Sequence, residues 1–473
     1  MNKKKRNELV RKMITLFQLV TLIGLAVALL LNKMLPMKYL MVIIGGLFII
    51  WAICFALQFT KKKVHLVGVV VSIVFSILQF TGVIYITMAN NLMDEIGGAA
   101  VKVDNMVVVV REDDLAEQIQ DTKDYNFGVQ YIIDRENTEK TIDNINELLE
   151  TSVSTMEYEG IPEVAQAMLD GEVDAVIYNE AYTAMIEEEI EDYSSKVRII
   201  YQYEIATELE REEVDISKAF NIYISGIDVA GSISKNSRSD VNIIMTVNPD
   251  TKQILLTSTP RDFYVPIPGV SNGQRDKLTH AGIYGVDASM RTLEELYGID
   301  IAYYARVNFT SLVRIVDALG GVDVESEYSF NAGGYSYKEG TNHLNGEQAL
   351  AFARERKSFS EGDRQRGKNQ EAVIEAILNK AMSPAVLTKA TQIIGSLSDC
   401  VETNMTRAEM SEFSNMQLND SVMWDIESQA ADGAGSRAAC YSSGSRQLYV
   451  MIPDETVMAD VKQKMQDVIA LTE

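Results

Sequence analysis

Residues 220–262 read FNIYISGIDVAGSISKNSRSDVNIIMTVNPDTKQILLTSTPRD, and this stretch decides the fold. Phe220–Ile224 is a short apolar run that ends in Gly226-Ile227-Asp228. Val241–Val247 is a second run, and Asn248-Pro249-Asp250-Thr251 turns it back into Gln253–Thr257. Strand-length runs rich in β-branched residues, joined by Asn, Pro and Asp, predict paired strands with ordinary turn chemistry. Helical patterns follow at Gly285–Tyr297, Phe309–Leu319, Gly346–Phe352 and Asp363–Met382, with Asn345 suited to cap the third. The mixture predicts an α/β fold, a mixed sheet flanked by helices.

Working outward, a smaller α/β unit is expected upstream. Strands are predicted at Met106–Arg111, Phe127–Val129, Ala175–Tyr178 and Val197–Tyr201, with helices at Thr138–Leu149, Pro162–Leu169 and Glu180–Glu191. The stretch Asp170–Glu180 resembles one lobe of a periplasmic solute-binding fold. A single lobe has no cleft, so an accessory or interaction role is expected. If that unit only recruits partners, removing residues 100–205 leaves catalysis intact. Downstream, Ala430–Ser445 reads as a Ser/Gly/Ala-rich surface loop before a strand at Leu448–Ile452 and a last helix at Glu455–Leu471.

Three apolar runs, Met13–Leu31, Leu40–Phe59 and Val64–Met88, fill the first ninety residues. Each is close to the ~20 residues that cross a bilayer. Basic residues cluster before the first run and at Lys61–Lys63, which places the N-terminus in the cytoplasm and everything after about Ala89 outside. Residues 1–90 hold 11 of the 43 Lys+Arg and one of the 67 Asp+Glu, so the remainder carries a balance of −34. Such an acidic ectodomain lacks the basic footprint of nucleic-acid binding. The expected division is a membrane domain at 1–90, an accessory α/β domain at 91–212, a catalytic domain at 213–390 and a C-terminal extension at 391–473. Cys400 and Cys440 both fall outside, where a disulfide can form; two buried thiols are the alternative.

The chain has no GxSxG, Walker A or HExxH signature, and its only histidines are His65, His280 and His343. Chemistry is left to carboxylates, Arg and Lys. Asp228 closes one strand and Asp240 opens the next, and two carboxylates at strand ends suit a hard divalent cation; turn capping is the plainer reading. Arg261 leaves the hairpin after Pro260 and is directed toward the same edge. Residues 353–370, ARERKSFSEGDRQRGKNQ, concentrate positive charge in an acidic protein. Guanidinium forks match phosphate oxygens. Arg354 and Arg356 would diverge by about 200° on a helix, whereas extended backbone points both one way. The helix before them is therefore expected to end near Ala353. Asp363, Arg366 and Gln370 share one face of the next helix, while Arg364 and Lys368 are expected on a solvated one.

Together and in order, Gly226-Ile227-Asp228, Arg238-Ser239-Asp240, Pro260-Arg261-Asp262, Asp276-Lys277-Leu278, Arg354-x-Arg356 and Asp363-x-x-Arg366-x-x-x-Gln370 resemble the LytR–CpsA–Psr family. Three N-terminal spans with an accessory domain look like its capsule-type branch. The resemblance implies a membrane-anchored phosphotransferase of Gram-positive bacteria that moves a capsular or teichoic-acid-like glycopolymer from undecaprenyl pyrophosphate to peptidoglycan. It implies Mg²⁺ at Asp228 and Asp240. Arg238, Arg261, Lys277, Arg354, Arg356, Arg366 and Gln370 would contact the pyrophosphate or order the residues that do. Arg261, Asp363 and Arg366 would carry catalysis, with Asp363 positioning an arginine or helping the acceptor hydroxyl lose its proton. Gly367-Lys368-Asn369 departs from the family's usual Arg/Gln run. Capsule-assembly proteins would be partners of the accessory domain. A polyprenyl-pyrophosphate phosphatase and an envelope regulator or scaffold are the alternatives. Ile283–Val286 and Leu312–Leu319 are read as core rather than as a lining for the lipid tail.

Overall fold

The computed structural model describes residues 3–60, 64–98, 101–187, 189–208, 214–227, 236–360, 362–381, 401–420, 424–444 and 446–471. They form two compact units. The first holds three long helices, α1 (Lys3–Asn32), α2 (Met37–Leu57) and α3 (His65–Ile96). Each contains an apolar stretch long enough to cross a membrane. Their large apolar side chains face outward, and Gln18, Thr21 and Gln79 are buried instead. Thr21 Oγ1 donates to Gln79 Oε1 at 2.7 Å, and Trp51 Nε1 to the Thr15 carbonyl at 3.0 Å. This inside-out pattern suits lipid, where small and polar residues join helices. Helix α13 (Arg407–Asp420) belongs to the same unit and pairs Arg407 with Asp94 at 2.8 Å.

The second unit opens with a five-stranded sheet. Its strands are β1 (Val101–Arg111), β2 (Asn126–Gln130), β3 (Ser154–Tyr158), β4 (Ala175–Asn179) and β5 (Val197–Glu208), in the order β3-β2-β4-β1-β5. Helices α4 (Arg135–Leu149) and α5 (Ile161–Asp170) match the predicted pattern. The predicted helix Glu180–Glu191 is broken into a 3₁₀ turn at Glu180–Tyr182, α6 (Thr183–Glu187) and, beyond it, α7 (Tyr193–Lys196). Strand β3 was not foreseen, because its run STMEY is exposed almost throughout and carries little apolar signal.

A six-stranded mixed sheet follows, with strands β6 (Phe220–Ile227), β7 (Ser239–Asn248), β8 (Gln253–Ser258), β11 (Tyr303–Asn308), β16 (Val401–Thr403) and β17 (Asp425–Ala430). Their order is β16-β11-β6-β7-β8-β17. The pairs β6–β7 and β7–β8 are antiparallel, as the opening stretch predicts, while β11 joins β6 in parallel. Helices α9 (Val286–Tyr297), α10 (Phe309–Leu319), α11 (Gly346–Arg354) and α12 (Asp363–Ala381) fall where the helical patterns placed them. Asn345 caps α11 by accepting from Gln348 N at 2.9 Å, and Gln348 returns a bond to Asn345 N, a capping box.

The expected surface loop at Ala430–Ser445 contains a strand. β18 (Gly433–Ala439) pairs with β19 (Gln447–Pro453), and α14 (Glu455–Ala470) closes the chain. Glycine and alanine give such a strand no pattern to read. Gly433 is required by closeness, since a side chain there would run into the Ile452 carbonyl, and Gly435 lies under the Tyr449 ring. Ile283, Tyr284 and Val286 are buried, as are Val316, Ala318 and Leu319, in keeping with the core reading. Ile267, Ala281, Ile283, Tyr284 and Ala288 share one buried cluster with Val107, Val109, Tyr182, Met185 and Ile186 of the upstream sheet region.

Candidate functional site

The site begins with an irregularity. Gly226 lies opposite Val241 and Ile227 opposite Ser239, so Asp240 is the extra residue of a β-bulge. Bulges re-aim a side chain at a sheet edge. Gly226 is needed there, because a Cβ would stand 2.7 Å from the Val241 side chain. Ser239 is fully buried and held by Tyr223 Oη and Ser225 Oγ, each at 2.8 Å. These contacts fix the residue before Asp240.

The Asp240 carboxylate accepts from Arg261 Nη1 at 2.9 Å and from Thr279 Oγ1 at 3.2 Å. Arg261 follows Pro260 at the end of β8, and its carbonyl accepts from Thr279 N at 2.8 Å. The contact with Asp240 is shorter than that with the adjacent Asp262, whose carboxylate lies 3.8 Å from Arg261 Nε. Lys277, at the end of β10 (Arg275–Lys277), pairs with Asp262 at 3.2 Å. Its neighbour Asp276 is buried. Burial alone would raise that carboxyl, but His280, Ser442 and the Lys277 amide bring it below the ordinary carboxylate value. Asp276 is thus a pin for the Cys440–Ser443 turn, with Oδ2 accepting from Ser442 N at 2.9 Å. Cys440 is a buried free thiol, and the possible bridge falls on a partner outside the described residues. Burial, and then Asp276, push that thiol up to about 12. Cys400 lies outside the described residues.

Helix α12 supplies the facing wall. Arg366 and Gln370 line a cavity of about 90 Å³ together with Asp240 and Arg261. That is roughly the liquid volume of three waters, a space for a phosphate-sized group. Gly367 lets the helix approach, since a Cβ there would lie 3.0 Å from Ser258 Oγ. Arg364 is exposed, as expected, but it also lines the same cavity and forms an ion pair with Asp432, whereas Lys368 pairs with Glu327 at 3.2 Å. Asp432, Tyr449 and Met451 reach the cavity from the C-terminal strands, which no motif had marked. Neither had Glu371. It is 3 % exposed, and burial pushes its carboxyl up to about 8 against the Ser258 backbone and Lys368, which lower it.

The remaining predicted residues stand apart from this cavity. Arg354 is the last residue of α11 rather than part of an extended pair, and its guanidinium lies 4.3 Å from the Phe309 ring centre. Helix α11 runs one residue past the expected Ala353, within the scatter of a helix end, and Glu355 beyond it is extended. Arg356 is exposed beyond it, and Arg238 is half-buried beside Ser239. Asp228 and the Asp363 side chain lie outside the described residues. Among the described residues no group of three or more acidic, His or Cys side chains could hold a metal. Magnesium commonly needs only one or two carboxylates, with water and phosphate oxygens as its other ligands. Asp240 at a cavity walled by arginines fits that donor chemistry.

A sequence model of the LytR_cpsA_psr family matches residues 177–467. The chain belongs to this family. A LytR_cpsA_psr relative from Bacillus mycoides, named polyisoprenyl-teichoic acid–peptidoglycan teichoic acid transferase TagU, is 32 % identical over 265 residues, covering 56 % of this chain and 83 % of its own. A protein of the same name from Oceanobacillus iheyensis is 39 % identical over 195 residues, which is 40 % of this chain and 59 % of its own. The crystal structure of B. subtilis TagU aligns with 54 % of this chain and 99 % of its own, at 30 % identity and a TM-score of 0.43.

Proposed function

We propose that this family member is a membrane-anchored transferase that moves a glycopolymer from a polyprenyl-pyrophosphate carrier to peptidoglycan. The convergence of Asp240, Arg261, Arg366 and Gln370 on one phosphate-sized cavity carries this reading. The teichoic acid transferase names of the relatives support the substrate class. Orientation rests on the basic residues flanking the spans, which favour an external α/β unit.

In the proposed reaction the acceptor hydroxyl attacks the phosphorus that bears the glycan. The bond to the bridging oxygen breaks, polyprenyl phosphate leaves, and the hydroxyl proton is lost. Negative charge grows on the bridging oxygen and the equatorial oxygens. Arg261 and Arg366 stabilise it from fixed positions, so little reorganisation is needed. Arg364 adds a third guanidinium. Asp240 orients Arg261. Mg²⁺, held by Asp240 with Asp228, would neutralise phosphate oxygens. Asp363 is proposed to order an arginine or receive the proton. Lys277, Arg238, Arg354 and Arg356 are proposed to act on the outer phosphate and its glycan.

The test supplies the full chain with lipid-linked glycan, peptidoglycan and Mg²⁺. A covalent wall adduct is expected, falling about 10²–10³-fold in Arg261→Ala and Arg366→Ala. Free phosphorylated glycan without an adduct would identify a hydrolase instead. Omitting Mg²⁺ is expected to abolish transfer; undiminished turnover in chelator would remove the metal from the mechanism.

A further inference from the structure

The residues leading into Arg238-Ser239-Asp240 are held by the upstream α/β segment. Asn236 Nδ2 donates to Asp104 Oδ1 at 2.9 Å and lies 3.4 Å from the Val103 carbonyl. Asp104 sits on β1, is 2 % exposed, and is fixed by other donors: Asn179 at 3.0 Å, Asn137 at 3.2 Å and Lys102 Nζ at 3.0 Å. Gly282 also approaches the same backbone closely. A Cβ on Gly282 would stand 2.5 Å from the Ser237 carbonyl and 2.8 Å from Ser239 N. The stem of Lys102 in turn packs on Gly285, which has φ +115. Asn236 is two residues from Arg238 and four from Asp240, and no regular element stands between it and β7.

We propose that Asn236 is a positioning residue, through which Asp104 of the upstream segment sets the placement of Arg238 and Asp240. This rests on the transferase reading above. A charge-assisted bond to a carboxylate locked by several donors is stiff. Small misplacements of groups that hold a reacting phosphate lower rates steeply. The upstream segment is then a working part of the phosphate site.

The test uses the full chain in detergent micelles, with two readouts: transfer kinetics, and amide hydrogen exchange across Ser237–Val241. Asn236→Ala is expected to lower kcat/KM roughly tenfold and speed exchange locally, with Tm nearly unchanged. Asn236→Asp sets two carboxylates against each other and is expected to lose more. Asn236→Gln, which keeps an amide donor for the Asp104 carboxylate, is expected to recover part of the loss. If the single variants keep wild-type exchange and kcat/KM, the proposal is wrong. A lower Tm with kcat/KM of the folded fraction intact would make the contact merely structural and also overturn it. Should the wild type transfer nothing, the proposed function fails, while the exchange arm still decides whether Asn236 orders this segment.

Discussion

At the scale of single residues, two basic side chains four apart on α12 separate by what they touch. Arg364 faces Asp432 across the cavity, whereas Lys368 reaches an exposed Glu327. Arg364→Ala is expected to lower kcat/KM about tenfold, the weight of one charge-assisted contact. Lys368→Ala is expected to leave it unchanged, since exposed pairs contribute little. Steady-state transfer kinetics of the two variants check both. Glu371 makes a separate prediction about pH. Its carboxyl is raised from 4.5 to about 8, with burial the largest cause, and Glu375, Lys368 and the Ser258 backbone as neighbours. Below the ordinary Glu value, folded and unfolded chains both hold the proton and nothing is lost. As pH climbs toward 8 the unfolded chain releases it and the folded chain does not, so stability falls through that window. Glu371→Gln is expected to match the wild type in Tm near pH 4.5 and to exceed it by a few degrees at pH 8. An unchanged difference between the two pH values would show that Glu371 does not titrate this way.

At the scale of elements, legibility followed the strength of the periodic signal. The β6–β7–β8 meander and helices α9 to α12 were readable because their apolar runs are long and their turns and caps carry Asn, Pro and Asp at the required places. Asp240 was readable as a strand-end carboxylate, yet its aim depends on a bulge that pattern alone cannot locate. Arg366 and Gln370 follow from helical spacing, and so share a wall of the cavity. The place of Arg364 at the cavity was not legible because its partner, Asp432, comes from a segment 68 residues away. Strand β18 was missed because its Gly and Ala serve close approach and leave no alternation. Closeness also decides Gly367, where α12 meets the end of β8. Gly367→Ala places a methyl against a movable hydroxyl and is expected to be mild. Gly367→Val adds bulk that the strand cannot yield to and a β-branch that helices disfavour. A loss of about 1–3 kcal/mol is expected, with transfer falling as Arg366 and Gln370 move away from Asp240. Denaturant unfolding and transfer kinetics of both variants check this; equal behaviour of Ala and Val would deny that the approach is tight.

At the scale of the whole α/β unit, the five-stranded and six-stranded sheets are not separable folding problems. Sequence patterns divide them cleanly, because each carries its own alternation of strands and helices and an acidic stretch, Glu208–Asp215, runs between. What the pattern does not carry is the packing of Ile267, Ala281, Ile283, Tyr284 and Ala288 into one core with Val107, Tyr182 and Ile186. The Tyr182 and Tyr284 rings meet at 6.1 Å across that boundary, and Tyr441 Oη donates to the Ile132 carbonyl at 2.8 Å. Removing residues 101–208 would expose those side chains, and each large one costs about 1.5–3 kcal/mol when returned to water. A domain is stable by only about 5–15 kcal/mol, so a few such exposures matter. The expectation for a purely recruiting module, intact catalysis after its removal, is therefore reversed here. The truncated chain is expected to aggregate or melt at least 10 °C lower and to lose transfer to background. Size-exclusion chromatography, thermal unfolding and the transfer assay check this together. A monodisperse truncated protein with wild-type turnover would mean that the shared core is dispensable and that the upstream sheet only recruits.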